Sequence, residues 1–236
     1  MPIGEDLSIR EGYAAWAPLY DDDGNPLTAI EGSVLRSWFG PIRGRKVLDL
    51  GCGTGRHTLP LVEAGAEVVA VDAVPEMMTL ARDKLGLAPV HWVLHRLPDP
   101  LPFPDATFDL VVLGLVAEHL EDLEAVLSEA ARVTVPGGRS VLSALHPERT
   151  AGGQRARFID PASGERRHIT TVHREVADYL GAANRAGWSL IEERTLIVPG
   201  ELAEVIPRAL PYVGKPLGWA ARWEKADATV KAEANG

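Results

Sequence analysis

Three histidines in this chain follow short apolar, strand-like runs: His119 in "LVAEHLED", His146 in "SALHPE" and His173 in "TVHREV". Imidazole titrates close to neutral pH, so a histidine in such a place can take a proton from a hydroxyl or an amine. A second constellation lies upstream. "VLDLGCGTGRHTL", residues 47–59, carries Gly51, Gly53 and Gly55 after an apolar run containing Asp49, and Asp72 follows 21 residues beyond Gly51. Glycines this close together let a ligand or a second backbone segment approach the chain.

The loop is poorly built for pyrophosphate. A dinucleotide fingerprint needs G-x-G-x-x-G, and its third glycine position holds Arg56. No Gly-Lys-Ser/Thr follows, so the P-loop pattern fails too. Asp49 would sit badly beside a phosphate, but it suits a cationic ligand or the ordering of the loop through backbone N–H bonds. Asp72 ends a strand at the distance from which a carboxylate accepts hydrogen bonds from ribose hydroxyls. The pattern calls for a nucleoside with a charged, non-phosphate appendage.

The histidines each have a plainer reading. His119 either acts as a base or stabilises its loop, and Glu118 beside it reads as a helix-start carboxylate. His146 lines the substrate crevice, with a possible part as base, or caps a strand before Pro147. His173 contacts substrate or ties a lid to the core. His57, His91, His95 and His168 are assigned to surface or packing roles, and no spacing makes a metal site.

The elements that must position these residues alternate. "KVLDL", "EVVAVD", "HWVL", "FDLVVLGL" and "SVLSALHP" are β-branched or apolar runs, and helical patterns separate them, which predicts a parallel sheet with crossover helices. "RHTLPLVEAG" is a helix with Pro60 in its first turn, closing at Gly65, and "PEMMTLARDKLG" is a second. "EDLEAVLSEAARVTVPGG" is a helix that Pro136 and Gly137 stop. "REVADYLGAANRAG" is amphipathic, and the runs "SLIEERTLIV" and "KPLGWAARWE" follow with no crossover of normal length, so they pair antiparallel at an edge. The fold class is α/β, a Rossmann-like three-layer arrangement in one domain. Residues 1–44 form a helical cap, 45–146 the ligand-binding core and 147–172 a lid-like insert with a hairpin turn at "DPASGE". Residues 173–225 complete the sheet and 226–236 form a loose tail.

Composition narrows the partners. The net charge of −9 and the scattered Lys and Arg leave no face for tracking phosphates, which excludes nucleic acid. The densest basic stretch, with Arg155, Arg157, Arg166 and Arg167, is interrupted by Asp160 and Glu165, as in a solvated hairpin. No apolar run reaches the roughly 20 residues of a membrane helix. One cysteine, Cys52, cannot form an intrachain disulfide. With no signal-like N-terminus, the expectation is a cytoplasmic protein acting on a small molecule.

"DLGCGTG" with Asp72, "LPFPDATFDLVV", "LVAEHLED", "PGG" and "HREVADYLGAANRAGW" together resemble the class I S-adenosylmethionine-dependent methyltransferases of the small-molecule branch, over residues 10–225. The resemblance implies strand order 3-2-1-4-5-7-6 with the seventh strand antiparallel. It also implies S-adenosylmethionine as cofactor. Asp49, Gly51, Cys52, Gly53 and Gly55 would hold the methionine moiety, Asp72 the ribose, and Ala73, Met77, Leu97 and Leu115 the rest. On the residues alone, Cys52 is a small packing group and Met77 and Met78 are both core. In "GYAAWAPLYDDDGNPL", Tyr13 would close over the cofactor and Tyr20 or Trp16 would pack on the site, whereas for Trp16 a core groove is the preferred reading. Where many relatives have Gly-Asp-Ala before "LPFPD", this chain has Arg96-Leu97-Pro98, leaving a backbone carbonyl or Asp99 to meet the adenine amine. The amino-methylating signature Asp/Asn-Pro-Pro-Tyr/Phe is absent after the fourth strand. The expected reaction is transfer of a methyl group to oxygen, nitrogen or carbon of a small acceptor. The alternatives are a non-methylating reaction on a natural product and a non-catalytic binding or regulatory role.

Overall fold

Residues 6–22, 24–160 and 163–226 are described in a computed structural model. The chain begins with helix α1 (Ile9–Trp16), whose first turn is capped by the Ser8 hydroxyl accepting from the Glu11 N–H, and a 3₁₀ turn through Leu19. Helix α2 (Pro26–Phe39) starts where Asn25 Oδ1 accepts the Leu27 N–H at 3.0 Å and Pro26 pre-sets the first helical dihedral. Alternation then sets in: β1 (Lys46–Leu50), α3 (Thr58–Glu63), β2 (Glu67–Asp72), α4 (Pro75–Leu85), β3 (Val90–Leu94), β4 (Phe108–Gly114), α5 (Leu123–Val133) and β5 (Thr134–Leu145). The remainder comprises α6 (Pro147–Ala151), β6 (Arg157–Ile159), β7 (Arg166–His168), α7 (Val176–Arg185), β8 (Trp188–Ile197), α8 (Leu202–Val205) and β9 (Pro216–Lys225).

Seven strands form one sheet in the order β3-β2-β1-β4-β5-β9-β8. The first five strands run parallel, and β9 is antiparallel to both β5 and β8. This is the order that the resemblance implies, with the two hairpin strands β6 and β7 standing outside the sheet. Both faces are covered, which is why β1 and β4 are apolar almost throughout. One face carries α5 and α7 over Leu48, Leu50, Val111, Leu113 and Trp219. The other packs Leu35, Trp38 and Phe39 of α2, with Leu61 of α3, on Val47, Leu110 and Val112.

Two expectations are corrected. The helix expected to run to Pro136 and Gly137 ends at Val133: Thr134 is already extended (φ −86°, ψ 140°), and its hydroxyl takes up the Ala130 carbonyl at 2.6 Å. Thr134 already pairs with Phe108, and the chain bulges before Arg139 meets Leu110, so Pro136, Gly137 and Gly138 lie inside β5. The insert contains the expected hairpin, β6 paired antiparallel with β7, and also the unforeseen helix α6. Residues 161–162 of its turn and residues 227–236 of the expected tail lie outside the described residues.

The N-terminal segment and the insert bind each other. Leu7 donates to the His168 carbonyl at 2.9 Å and its own carbonyl accepts the Thr170 N–H at 3.1 Å. Asp6 pairs with Arg155 at 2.6 Å, and Trp16 stacks on Phe158 with centroids 5.6 Å apart. Gly12 permits the contact: a Cβ there would lie 2.5 Å from Ile169 Cγ1.

Candidate active site

The carboxyl ends of β1, β2 and β4 meet at the glycine loop. Gly51 and Cys52 turn away from β1 and donate to the Val71 carbonyl at 2.8 and 2.9 Å. The turn requires φ of +80° at Gly51, and a Cβ there would stand 2.3 Å from Val116 Cγ2. Gly51→Ala is therefore expected to destabilise by about 2–4 kcal/mol, from left-handed strain and overpacking. Gly44→Ala, also at positive φ but in open space, should cost only about 1 kcal/mol. Urea unfolding of both variants checks this, and equal losses would remove the case for a steric demand at Gly51.

Asp72 ends β2 and orders the loop. Its Oδ2 accepts the Gly53 N–H at 2.7 Å and its Oδ1 the Val74 N–H at 2.8 Å. Burial pushes its carboxyl up, against the backbone N–H groups that favour its charge. Asp49 is buried beneath the loop and accepts the Thr58 hydroxyl at 2.6 Å, tying β1 to the start of α3. Burial pushes the Asp49 carboxyl up as well.

A buried ionic cluster supports the loop from α2. Glu31 is fully buried; it accepts from Arg56, from the Ser143 hydroxyl at 2.6 Å and meets His57 Nε2 at 3.0 Å. Burial works against its charge, but Arg56 and His57 outweigh that and hold its carboxyl at about 2. The cluster escaped the sequence reading, which placed His57 among ordinary packing roles. A signal was present: Glu31 lies four residues from both Leu27 and Leu35, on the buried stripe of α2.

Beyond the loop lies a cavity of about 540 Å³. Its lining includes Tyr13, Tyr20, Gly51, Gly53, Asp72, Ala73, Met77, Leu97, Leu115 and His119. His95 and Arg10 join them unforeseen, Arg96 and Pro98 come from the stretch expected at the adenine, and Asp99 is not among them. A second cavity of about 310 Å³ shares Tyr13, Tyr20 and Leu115 with the first, so these three form a common wall. Trp16 and Glu118 line only the second. Leu115 is held at φ +60° by its N–H bonds to Ser143, an unusual strain for a branched side chain.

His119 sits in a 3₁₀ turn after β4 (Ala117–His119) with both nitrogens engaged. Nδ1 lies 2.8 Å from the Thr170 carbonyl, which can only accept, so Nδ1 carries the proton. Nε2 is then the acceptor of the Tyr13 hydroxyl at 2.8 Å. Burial lowers the His119 pKa, which favours this neutral form. Arg174 fixes the same turn from below, donating to the carbonyls of Ala117 at 3.1 Å, of Leu120 and of Glu121.

Several expected contacts lie elsewhere. Cys52 packs with Ala70 and Met78 under the loop, and burial raises its thiol pKa. Gly55 faces Leu85 and Ala81 of α4, where a Cβ would come within 3.0 Å of Leu85 Cδ1. Met78 points into the core while Met77 faces the cavity, as their successive positions on a helix require. His146 lines neither cavity, because its Nδ1 accepts the Glu148 N–H and caps α6. His173 is exposed and bridges Thr150 Oγ1 at 2.7 Å and Glu175 at 3.1 Å, joining α6 to α7. Trp16 fills a groove, but that groove is closed by the insert rather than by the sheet.

No helix among the described residues is long and apolar enough to cross a membrane. The family described as a methyltransferase domain matches residues 48–142. An uncharacterized methyltransferase of Emericella nidulans is 30% identical over 224 residues, 79% of this chain and 78% of that protein. The demethylmenaquinone methyltransferase of Tropheryma whipplei is 32% identical over 147 residues, 60% of this chain and 61% of that enzyme. Among solved structures, an S-adenosylmethionine-dependent methyltransferase from Mesorhizobium loti superposes with a TM-score of 0.69 at 23% identity, covering 83% of this chain and 97% of that one. The glycine loop, the strand order and these matches agree: the chain belongs to the class I S-adenosylmethionine-dependent methyltransferases.

Proposed function

We propose that the larger cavity binds S-adenosylmethionine and that the enzyme passes its methyl group to a small organic acceptor. The observation that carries this reading is Asp72. Its two oxygens accept the N–H groups of Gly53 and Val74, with the Ala73 N–H also favouring its charge, and the residue lines the cavity. Ribose hydroxyls match the acceptor capacity that remains on the carboxylate. Gly53 leaves room for close backbone approach, Gly51 joins it in the lining, and Met77 and Leu97 offer an apolar slab for the base. With Asp99 outside the lining, the adenine amine would meet backbone carbonyls in the stretch from His95 to Pro98.

Bound there, the sulfonium supplies an activated methyl carbon, and the chain's task is to hold an acceptor in line with it and exclude water. Tyr13 and His119 serve exclusion. The hydroxyl–imidazole bond pins α1 over the cavity, and the Thr170 carbonyl holds the imidazole in the tautomer that accepts it. His119 thus acts in this reading as a positioning residue. Tyr13→Phe removes one neutral hydrogen bond and should weaken S-adenosylhomocysteine binding about 3–10-fold, read by calorimetry. An unchanged affinity would mean that α1 closes without this bond.

Calorimetric titration of the wild type with S-adenosylmethionine and S-adenosylhomocysteine tests the cofactor reading, and absence of heat from both would end it. A product heavier by one methylene, with S-adenosylhomocysteine formed in equal amount, separates methyl transfer from a non-methylating reaction. The acidic net charge of −9 supports a small-molecule acceptor over a nucleic-acid partner.

A further inference from the structure

Glu118 is a buried carboxylate that the fold satisfies only in part, through backbone N–H groups including that of Leu145. It is only 5% exposed, and its Oε2 has no hydrogen-bond partner among the described residues. Its main chain is satisfied, with the carbonyl accepting the Val172 N–H at 2.7 Å. A carboxylate oxygen cut off from water without a donor is costly, and such a group persists where a ligand brings the donor. Glu118 forms part of the wall of the smaller cavity. Burial pushes its carboxyl up to about 7, backbone N–H groups including that of Leu145 oppose the rise, and nearby Glu31 adds to it while Arg56 opposes. A carboxylate so placed exchanges protons near neutral pH.

The same cavity is also lined by cationic groups. Arg155 is already paired with Asp6, whereas Arg157 has no carboxylate within ion-pair distance among the described residues and reaches only the Tyr212 hydroxyl, at 3.5 Å. Other parts of the wall are apolar and aromatic, among them Trp16, Tyr20, Leu145 and Leu217. The cavity therefore combines a proton acceptor, an anion partner and apolar walls. Through Tyr13, Tyr20 and Leu115 it borders the larger cavity.

The geometry points to the smaller cavity as the acceptor site for a small carboxylic acid with an apolar body and a hydroxyl or amine, Arg157 pairing with the carboxylate and the Glu118 carboxylate receiving the proton of the nucleophile. This rests on the cofactor reading above. The acceptor's oxygen or nitrogen forms a bond to the methyl carbon, the carbon–sulfur bond breaks with its electron pair left on sulfur, and the acceptor's proton passes to Glu118. His119 does not compete for that role: it faces the other cavity, and its acceptor nitrogen is held by Tyr13.

The test uses enzyme saturated with S-adenosylhomocysteine and three probes: 3-(4-hydroxyphenyl)propionate, its deoxy analogue 3-phenylpropionate, and 2-(4-hydroxyphenyl)ethanol, which lacks the carboxylate. The hydroxy acid should bind at least about tenfold more tightly than the alcohol, as a charged hydrogen-bonded pair implies, and Arg157→Ala should abolish that preference. Glu118→Gln, nearly isosteric, should erase the advantage of the hydroxy acid over its deoxy analogue while leaving S-adenosylhomocysteine affinity unchanged. With S-adenosylmethionine in place, the wild type should O-methylate the hydroxy acid, and Glu118→Gln should reduce this about 10²–10⁴-fold. Equal binding of acid and alcohol, or preferences that survive these substitutions, would overturn the acceptor assignment alone. Failure of S-adenosylhomocysteine to bind the wild type would overturn the cofactor reading and this proposal with it.

Discussion

Glu31→Ala is expected to lower the free energy of unfolding by about 3–5 kcal/mol, the cost of breaking one side of a buried ion pair. The substitution removes the partner of Arg56, His57 and Ser143 at once. Arg56 can recover part of its hydration, since its side chain is 21% exposed, but His57 at 4% cannot. The cavity left by the carboxylate adds to the loss, so the penalty outweighs the desolvation that the mutation relieves. Titration predicts a similar size. The Glu31 carboxyl lies at about 2 in the fold against an ordinary 4.5, a gap worth about 3 kcal/mol. Its folded value is depressed, so this stability is fully present above pH 4.5 and is lost as the pH falls toward 2. Urea unfolding of wild type and variant near neutral pH and again in acid measures both effects. A loss below about 1 kcal/mol would show that the cluster is not a supporting element of the loop.

Asp72→Ala should weaken S-adenosylhomocysteine binding by about 10²–10⁴-fold, because two hydrogen bonds to a charged acceptor are lost at about 1.5–3 kcal/mol each. The same carboxylate fixes Gly53 and Val74, so the variant also loosens the loop that must approach the ligand. Asp72→Asn should be nearly as damaging. An amide keeps one oxygen, and its nitrogen would then face the N–H of either Gly53 or Val74, donor against donor. Calorimetric titration decides the matter: an unaltered dissociation constant in either variant is incompatible with Asp72 holding a ribose.

The sheet and the glycine loop were readable in the sequence because their signals are local. Apolar runs of strand length alternate with helical periods, and Gly51, Gly53 and Asp72 stand in one βαβ unit where their spacing carries the meaning. What escaped depends on partners brought together from a distance. Tyr13 and His119 are 106 residues apart and Glu31 and Arg56 are 25 apart, so no window along the chain contains either pair. Glu118 reads as a helix-start carboxylate because acids favour that place, yet it lies in the 3₁₀ turn before α5, where the Asp122 carboxylate provides the cap. His146 ends a strand as expected, but α6 begins immediately after it and turns its ring into a cap. Thr134 was hidden by the more conspicuous Pro136 and Gly137.

The mutual grip of the N-terminal segment and the insert has a consequence for how the protein is made. Asp6 and Arg155 are separated by 149 residues, and Thr170 reaches back 163 residues to the Leu7 carbonyl. Contacts of such long sequence separation form late, because chain closure must precede them. During synthesis α1 leaves the ribosome well before its partner strand exists, so Trp16 waits without Phe158 to cover it. The wall that α1 and the insert build together therefore forms only once the insert has been made.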